Sequence, residues 1–506
     1  MAVIGAFIKG LINLRDAVVS EPEPEKEQEK VLQQLLQKAK NTAFGKHYGF
    51  KEILESEDIR KAFASKVPFF DYNKIHQEWW YRLHEGEEDI TWPGKPPYFA
   101  LSSGTTGKSS KRIPVTEEMV DAIRQTAIKQ VGALANYDLP ADFFEKEIMM
   151  LGSSTDLNQV EDHKEGEISG ISASNIPFWF RSFYKPGQEI AQIEDWDERI
   201  LEIAKRAREW DIGAITGIPT WTELMIKKVI DYNRAETIHD IWPNLSVYSS
   251  GGVAFDTYEK SFNELVEKPL VIIDTYLASE GFMAFQERPE TRSMRLVTDN
   301  GIYFEFVPFK EKYIQEDGSL APDAPLVELQ DVKEGEDYVL IISTVAGLWR
   351  YMIGDTVMFT DVERKEIKIT GRTKFFLNVV GEQLSVNKMN QAVKELEDQF
   401  SVVIPEFTLA VVKEQDGFVH KWYLGIQGQA DEMELAQVLD SNLQEANKAY
   451  RSAREKALKR VEVISLEPDV FYDWNAKNKK KGGQVKMEKV LKDEKIEAWD
   501  EFLKTR

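Results

Sequence analysis

"VIIDTYLASEGFMAF", residues 271–285, is an apolar β-like run ending in Thr275, Tyr276, Ser279 and Glu280. A strand end is where α/β proteins place ligand-binding groups. Tyr276 offers a ring that can stack on a base, and Glu280 offers a hard oxygen donor for a Mg²⁺ bound to phosphate. A buried tyrosine and a surface glutamate after a core strand would produce the same letters. The runs on either side set the fold class. "EIMMLGS", "LVIIDTY" and "DYVLIIST" alternate with helix-like "DERILEIAKRAREW" and "TELMIKKVIDYN", a rhythm that predicts an α/β body, sheets flanked by helices, over about residues 65–370.

The chain is 506 residues long and 42% hydrophobic, enough for roughly two to four domains with real cores. Lys+Arg 64 against Asp+Glu 86 leaves a formal charge of -22, which repels a polyanion and excludes nucleic acid as the main partner. Any anion site must be local. With no cysteine there is no disulfide, thiolate nucleophile or zinc-thiolate site, and nothing calls for an oxidising compartment, so the expected address is cytoplasmic. The apolar start, "MAVIGAFIKGLINLRDAVV", is broken by Lys9 and Arg15 and falls short of the ~20 residues of a membrane helix. It reads as a helix packed on the body, not as a membrane insertion.

Further on, Val31, Leu35 and Leu36 form an apolar stripe at helical spacing. After "ITGRTKFFLNVVGEQLS" the pattern changes. Val386, Met389, Val393 and Leu396 mark an amphipathic helix with Ser385 as its N-cap, followed by "FTLAVVKE", "KWYLGIQG", one long helix near residues 431–459, and "VEVISLE". The expected division is a large domain over residues 1–373 and a small α+β domain over 374–506.

"YFALSSGTTGKSSKRIPVT", residues 98–116, supplies the hydroxyls and glycines that can bring several N–H groups onto one anion. Only two residues separate Gly104 from Gly107, so it is not a Walker loop, and there is no G-x-S-x-G elbow. It is either a phosphate loop or an ordinary polar turn. In "GLWRYMIGDTVMFT", Gly354 and Asp355 read as a tight polar break whose carboxylate can accept from a ribose diol. Gly371, Arg372 and Lys374 fall at the inferred boundary, and "KNKKKGGQVKMEKVL" is a basic tail on an acidic chain. The six histidines are scattered without i, i+3 or i, i+4 pairing, which argues against a histidine metal site. Trp79, Trp80 and Trp92 read as wedges holding the N-terminal segments on the body.

Taken in order, these stretches resemble the adenylate-forming superfamily of acyl-CoA synthetases, peptide-synthetase adenylation domains and luciferases. Within it the chain is most similar to the auxin-responsive (Gretchen Hagen) acyl acid amido synthetases, whose loop reads like "SSGTT....K..P", the register kept here by Ser102 to Thr106, Lys111 and Pro114. The likeness extends to "LLQKAKNTAFGKHYGF", "VPFFDYNKIHQEWW" and "GGQVKMEKVLK". The tail departs from it, with "KMEK" where the plant enzymes have a proline after the lysine, and residues 150–190 match no known acyl pocket.

The resemblance implies that a carboxylic acid attacks the α-phosphate of Mg²⁺-ATP and that an amine, of an amino acid, then attacks the acyl carbon. Ser102, Ser103, Gly104, Thr105 and Thr106 would cradle the phosphates, with Lys111 contributing. Glu280 would hold Mg²⁺, Ser279 would line the α-phosphate, and Thr275, Tyr276, Gly251 and Gly252 would flank the adenine. Asp355 would bind the ribose, assisted by Arg372. Lys486 would be the mobile catalytic lysine and Lys374 the hinge. Swinging the small domain would let one site first shield a labile anhydride from water and then admit the amine. An acyl-CoA ligase and a non-catalytic nucleotide-binding member of the family are the alternatives.

Overall fold

The computed structural model describes residues 23–506 apart from 103–110, 141, 253–254, 256–257, 316–317, 374–381, 383, 385, 415–416, 479–486 and 492–493. Its strands, in chain order, are β1 (Tyr98–Ser102), β2 (Lys111–Val115), β3 (Glu147–Leu151), β4 (Asn158–Val160), β5 (His163–Gly166), β6 (Tyr184–Lys185), β7 (Ile212–Gly217), β8 (Val247–Gly251), β9 (Val271–Ala278) and β10 (Gly281–Phe285). They continue with β11 (Met294–Leu296), β12 (Ile302–Pro308), β13 (Asp337–Thr344), β14 (Tyr351–Asp361), β15 (Glu366–Arg372), β16 (Val403–Glu414), β17 (Gly417–Gln427), β18 (Leu458–Leu466) and β19 (Val490–Leu491).

Eleven of them make one mixed sheet in the order β12-β13-β14-β15-β11-β10-β9-β8-β7-β3-β6. Neighbours from β6 to β9 run parallel, whereas β9-β10, β10-β11 and β12-β13-β14 are antiparallel. Parallel neighbours need crossover connections, and helices Trp196–Arg206 and Pro219–Asn233 lie in two of them. The first is started by Asp195, which accepts from the Glu198 N–H at 2.8 Å, and buries Ile200, Ile203 and Ala204. The second carries Pro219 in its first turn and ends at Arg234 in the left-handed region. This parallel arrangement puts Leu151, Gly217, Gly251 and Ala278, the carboxyl ends of four strands, along one edge. A smaller sheet, β2-β1-β5-β4, pairs Ser102 with Lys111 at the mouth of the β1-β2 hairpin.

The helical stripe expected near residue 31 is present in helix Pro24–Ala39, which buries Val31, Leu32, Leu35 and Leu36. Its strap to the sheet is polar. Buried Gln28 donates to the Thr298 and Ile302 carbonyls at 2.8 and 2.9 Å and accepts from the Phe304 N–H at 2.7 Å. Gln28→Ala is expected to cost about 2–4 kcal/mol, because it strands three buried backbone groups. A urea midpoint equal to the parent's would refute that role. Trp79, Trp80 and Trp92 are buried, Trp80 lying on Tyr351 at 5.7 Å between centroids and Trp92 against Trp349 at 6.2 Å. The apolar start of the chain lies outside the described residues. No described helix is long and apolar enough to cross a membrane.

The chain divides into two compact units, Met1–Ala254 with Leu265–Ile369, and Phe255–Glu264 with Thr370–Arg506. The second is built on the sheet β18-β17-β16-β19. Met389, Val393 and Leu396 of helix Val386–Phe400 and Leu435, Leu439 and Leu443 of helix Glu432–Ala446 fill one of its cores. Phe255–Glu264 belongs here through Tyr258, whose hydroxyl donates to Glu406 at 2.9 Å. The single helix expected over residues 431–459 is two, Glu432–Ala446 and Lys448–Lys456. Asn447 between them is extended, its amide donating to the Glu382 carbonyl at 3.0 Å and its side-chain oxygen accepting from the Tyr450 N–H at 3.3 Å. These side-chain bonds compete with helix continuation, which is why the periodicity alone runs through the break.

Candidate functional site

The carboxyl edge of the parallel strands positions the residues singled out in the sequence. β8 ends Ser249-Ser250-Gly251, with Gly251 paired to Thr275 of β9, and Gly252 follows at φ 83°, a conformation that favours glycine. The Thr275 hydroxyl donates to the Ser250 carbonyl at 2.8 Å, tying the two strand ends together. A Cβ on Gly251 would stand 3.1 Å from that hydroxyl, so the approach is already tight.

β9 and β10 form a tight hairpin: Ala278 pairs with Gly281, leaving Ser279 and Glu280 as its two-residue tip. Hairpin tips normally face water. This one is covered, with Ser279 8% and Glu280 7% exposed. Gly281 has φ 146°, and a Cβ there would meet Ile302 at 2.8 Å and the Met119 sulfur at 3.4 Å. Met119 lies in the first turn of helix Glu117–Ala133, which follows β2, so the element after the polar loop packs against the carboxylate-bearing hairpin.

Tyr276 and Asp355, 79 residues apart, are joined by a buried hydrogen bond of 2.7 Å from the phenol to the carboxylate. In the sequence Gly354-Asp355 reads as a tight polar break between two apolar runs. Instead both lie within continuous strand β14, at a register shift against β13 with Gly354 at φ 94°. The shift is a bulge, a device that re-aims a side chain without ending the strand, and it directs Asp355 at Tyr276.

At the root of the polar loop, Ser102 and Lys111 face each other across the hairpin, and the Lys111 ammonium lies 5.2 Å from the Tyr72 ring centre. Ser103, Gly104, Thr105 and Thr106 fall outside the described residues, as do Lys374 and Lys486. Arg372 closes β15 and belongs to the second unit, so the structure places it by itself. The structure therefore brings together Gly251, Gly252, Thr275, Tyr276, Ser279, Glu280 and Asp355.

Sequence reasoning missed the network that holds the loop's root. Arg112 pairs with Glu165 of β5, and His163 lies 3.1 Å from both. The Arg112 N–H donates to the Tyr72 hydroxyl at 3.1 Å. His84 and His76, eight apart in sequence, approach to 3.2 Å, and burial, with Arg112 and His76 adding to it, pulls His84 down to about 4. The i, i+3 and i, i+4 search could not find that contact.

Among the described residues no group of three or more His, Asp or Glu side chains forms a metal cage. Mg²⁺ does not need one, since it binds through one or two carboxylates and completes its shell with phosphate oxygens and water. A single recessed carboxylate, Glu280, fits that donor chemistry.

A large mixed sheet with ligand-type groups at its carboxyl edge, followed by a small α+β unit, is the architecture of adenylate-forming enzymes. A 2-hydroxyisobutyryl-CoA ligase in its postadenylation state superposes with a TM-score of 0.57 at 12% identity, covering 95% of this chain and 92% of its own. A GH3.15 acyl acid amido synthetase does so with a TM-score of 0.78 at 16% identity, covering 98% and 96%. Sequence profiles of the GH3 family N-terminal, central and C-terminal domains match residues 18–202, 295–372 and 387–495. The chain belongs to the GH3 family. It is 22% identical to the indole-3-acetic acid-amido synthetase GH3.4 of Arabidopsis thaliana, over 92% of this chain and 89% of that one. It is also 22% identical to the jasmonoyl-L-amino acid synthetase GH3.5 of Oryza sativa subsp. japonica, over 80% of each.

Proposed function

We propose that the chain is an ATP-dependent acid-amino acid ligase that activates a carboxylic acid as its acyl-adenylate and transfers the acyl group to an amino acid. The observation that carries this reading furthest is the Tyr276–Asp355 hydrogen bond, which joins two distant motifs beside the ends of β8 and β9. The Asp355 carboxylate accepts the phenol's hydrogen bond, and a carboxylate, which accepts at several lone-pair positions, can also accept from a ribose diol. The bond holds the Tyr276 ring in place, where it would flank the adenine, with Gly251 and Gly252 offering backbone that a base can approach closely.

Ser102 to Thr106 and Lys111 supply N–H, hydroxyl and ammonium groups to the phosphates, and Ser279 does so at the α-phosphate. Glu280 would hold Mg²⁺, which supplies charge neutralisation on the phosphate oxygens. An oxygen of the acid's carboxylate attacks the α-phosphorus and pyrophosphate departs. The amino nitrogen then attacks the acyl carbon, a proton leaves the nitrogen, and AMP departs with the C–O bond electrons. Both steps gather negative charge, so preorganised donors lower both barriers. Lys486 and Arg372 would add positive charge, and Lys374 would serve as the hinge of the small domain.

The test is ATP-pyrophosphate exchange over a panel of carboxylic acids, followed by product analysis with amino acids or CoA added. Acid-dependent exchange and an amide product are expected. Exchange with a thioester product would make the chain an acyl-CoA ligase, and no exchange with any acid would leave a nucleotide binder.

A further inference from the structure

Arg199 is the fourth residue of helix Trp196–Arg206 and is only 4% exposed. Among the described residues no hydrogen bond or ion pair reaches its guanidinium, and its Nε is buried without a partner. Its one direct neighbour of note is the Trp196 ring, 5.3 Å away. A buried cation without an anion is costly by several kcal/mol, so such a group is expected to acquire a partner.

A carboxylate that acts on it faces the same problem. Glu167 lies within electrostatic reach of Arg199, yet the two form no ion pair, and the Glu167 Oε2 is buried without a hydrogen-bond partner. Burial pushes the Glu167 carboxyl up, opposed by Ser153 and Arg199, and pulls Arg199 down, opposed by Tyr184, Glu167 and Asp195. The segment bearing Glu167 is held in place: the Ser153 and Ser169 hydroxyls are 2.7 Å apart, and the Gly170 N–H donates to Ser153 at 3.1 Å. A positive and a negative group thus lie within electrostatic reach of each other but are not joined, and each has a buried polar atom without a hydrogen-bond partner. A ligand carrying both charges would satisfy both.

The location suits the reaction. Ser153 lies just past the carboxyl end of β3, and Tyr184 is on β6, the next strand. β3 adjoins β7, which adjoins β8, so this corner is two strand spacings, about 10 Å, from the Gly251-Gly252 strand end.

We propose that Arg199 and Glu167 form the subsite for the acceptor amino acid, bound as a zwitterion with its carboxylate on the guanidinium and its ammonium on the Glu167 carboxylate. A planar guanidinium takes a carboxylate through two parallel hydrogen bonds, which separates an amino acid from a simple amine. This assignment rests on the ligase reading, and the experiment keeps the two apart.

Wild type, Arg199→Met and Glu167→Gln are compared as full-length protein. With indole-3-acetate as the acid probe, exchange in both variants should stay within about twofold of wild type, while KM for the amino acid in amide formation rises at least about tenfold. Arg199→Met should also lose the preference for L-phenylalanine over phenethylamine. In parallel, saturation-transfer NMR with the twenty L-amino acids reads binding without turnover. At least one is expected to bind wild type, with its signal lost in Arg199→Met. Failure of every amino acid to bind, unchanged binding or KM in folded Arg199→Met, or exchange falling in step with amide formation would each overturn the subsite. Absence of exchange in wild type with every acid would overturn the ligase reading and leave the binding result to decide this one. Should Arg199→Met not fold, Glu167→Gln carries the same comparison.

Discussion

Glu280→Ala should reduce acid-dependent ATP-pyrophosphate exchange about a thousandfold or more, equivalent to about 4 kcal/mol of transition-state stabilisation. The side chain sits at a two-residue hairpin tip yet is 7% exposed, so it is recessed where a metal–phosphate cluster would displace water. Glu280→Gln keeps the shape and removes the charge, and it should fall nearly as far. Unchanged exchange in both variants, with thermal unfolding like the parent's, would contradict the assignment. A loss seen only in the alanine variant would point to packing rather than metal binding.

The largest stability effect is expected at Arg350. Its side chain is 4% exposed, pairs with Glu305 (1% exposed) at 3.1 Å, and donates to the Ala64 and Val67 carbonyls at 2.8 and 2.6 Å. It thereby ties helix Ile59–Lys66 and the residue after it to the sheet. Burial already pushes the Glu305 carboxyl up, with Arg350 opposing. Arg350→Ala leaves that carboxyl and two carbonyls without their donor, at a cost of about 3–5 kcal/mol. The double variant Arg350→Met, Glu305→Leu removes both charges and should recover at least half of the loss. Calorimetry of the three proteins decides the matter. A double variant as unstable as Arg350→Ala would show that the carbonyl bonds, not the stranded charge, carry the effect.

What the sequence made legible was local. The run at 271–285 announced a strand with polar residues at its end, and the spacing of Val31, Leu35 and Leu36 announced a buried helical face, because periods of two and 3.6 are written in neighbouring residues. The burial of the hairpin tip at Glu280 was not visible, since the side chains packed beside its neighbour Gly281, Met119 and Ile302, come from other segments of the chain. Asp355 read as a turn because Gly354 breaks the apolar run in the same way a bulge does, and only β13 distinguishes the two. Asn447 hid a helix break for the same reason, as its partner Glu382 is 65 residues away. Arg112 and Arg350 each find their carboxylate tens of residues off, and no spacing rule connects them. Residues 103–110 of the polar loop, Lys374 and Lys486 lie outside the described residues.

The placement of Phe255–Glu264 within the smaller unit has a practical corollary. The polypeptide passes between the units three times, after Ala254, Glu264 and Ile369, so the stretch from Thr370 to Arg506 is not a detachable cassette. A fragment begun at Thr370 would forfeit Tyr258 and leave the Glu406 carboxylate with Lys489, 3.0 Å away, but without its phenol. During synthesis, those ten residues emerge well before the unit they complete and must wait for more than a hundred others.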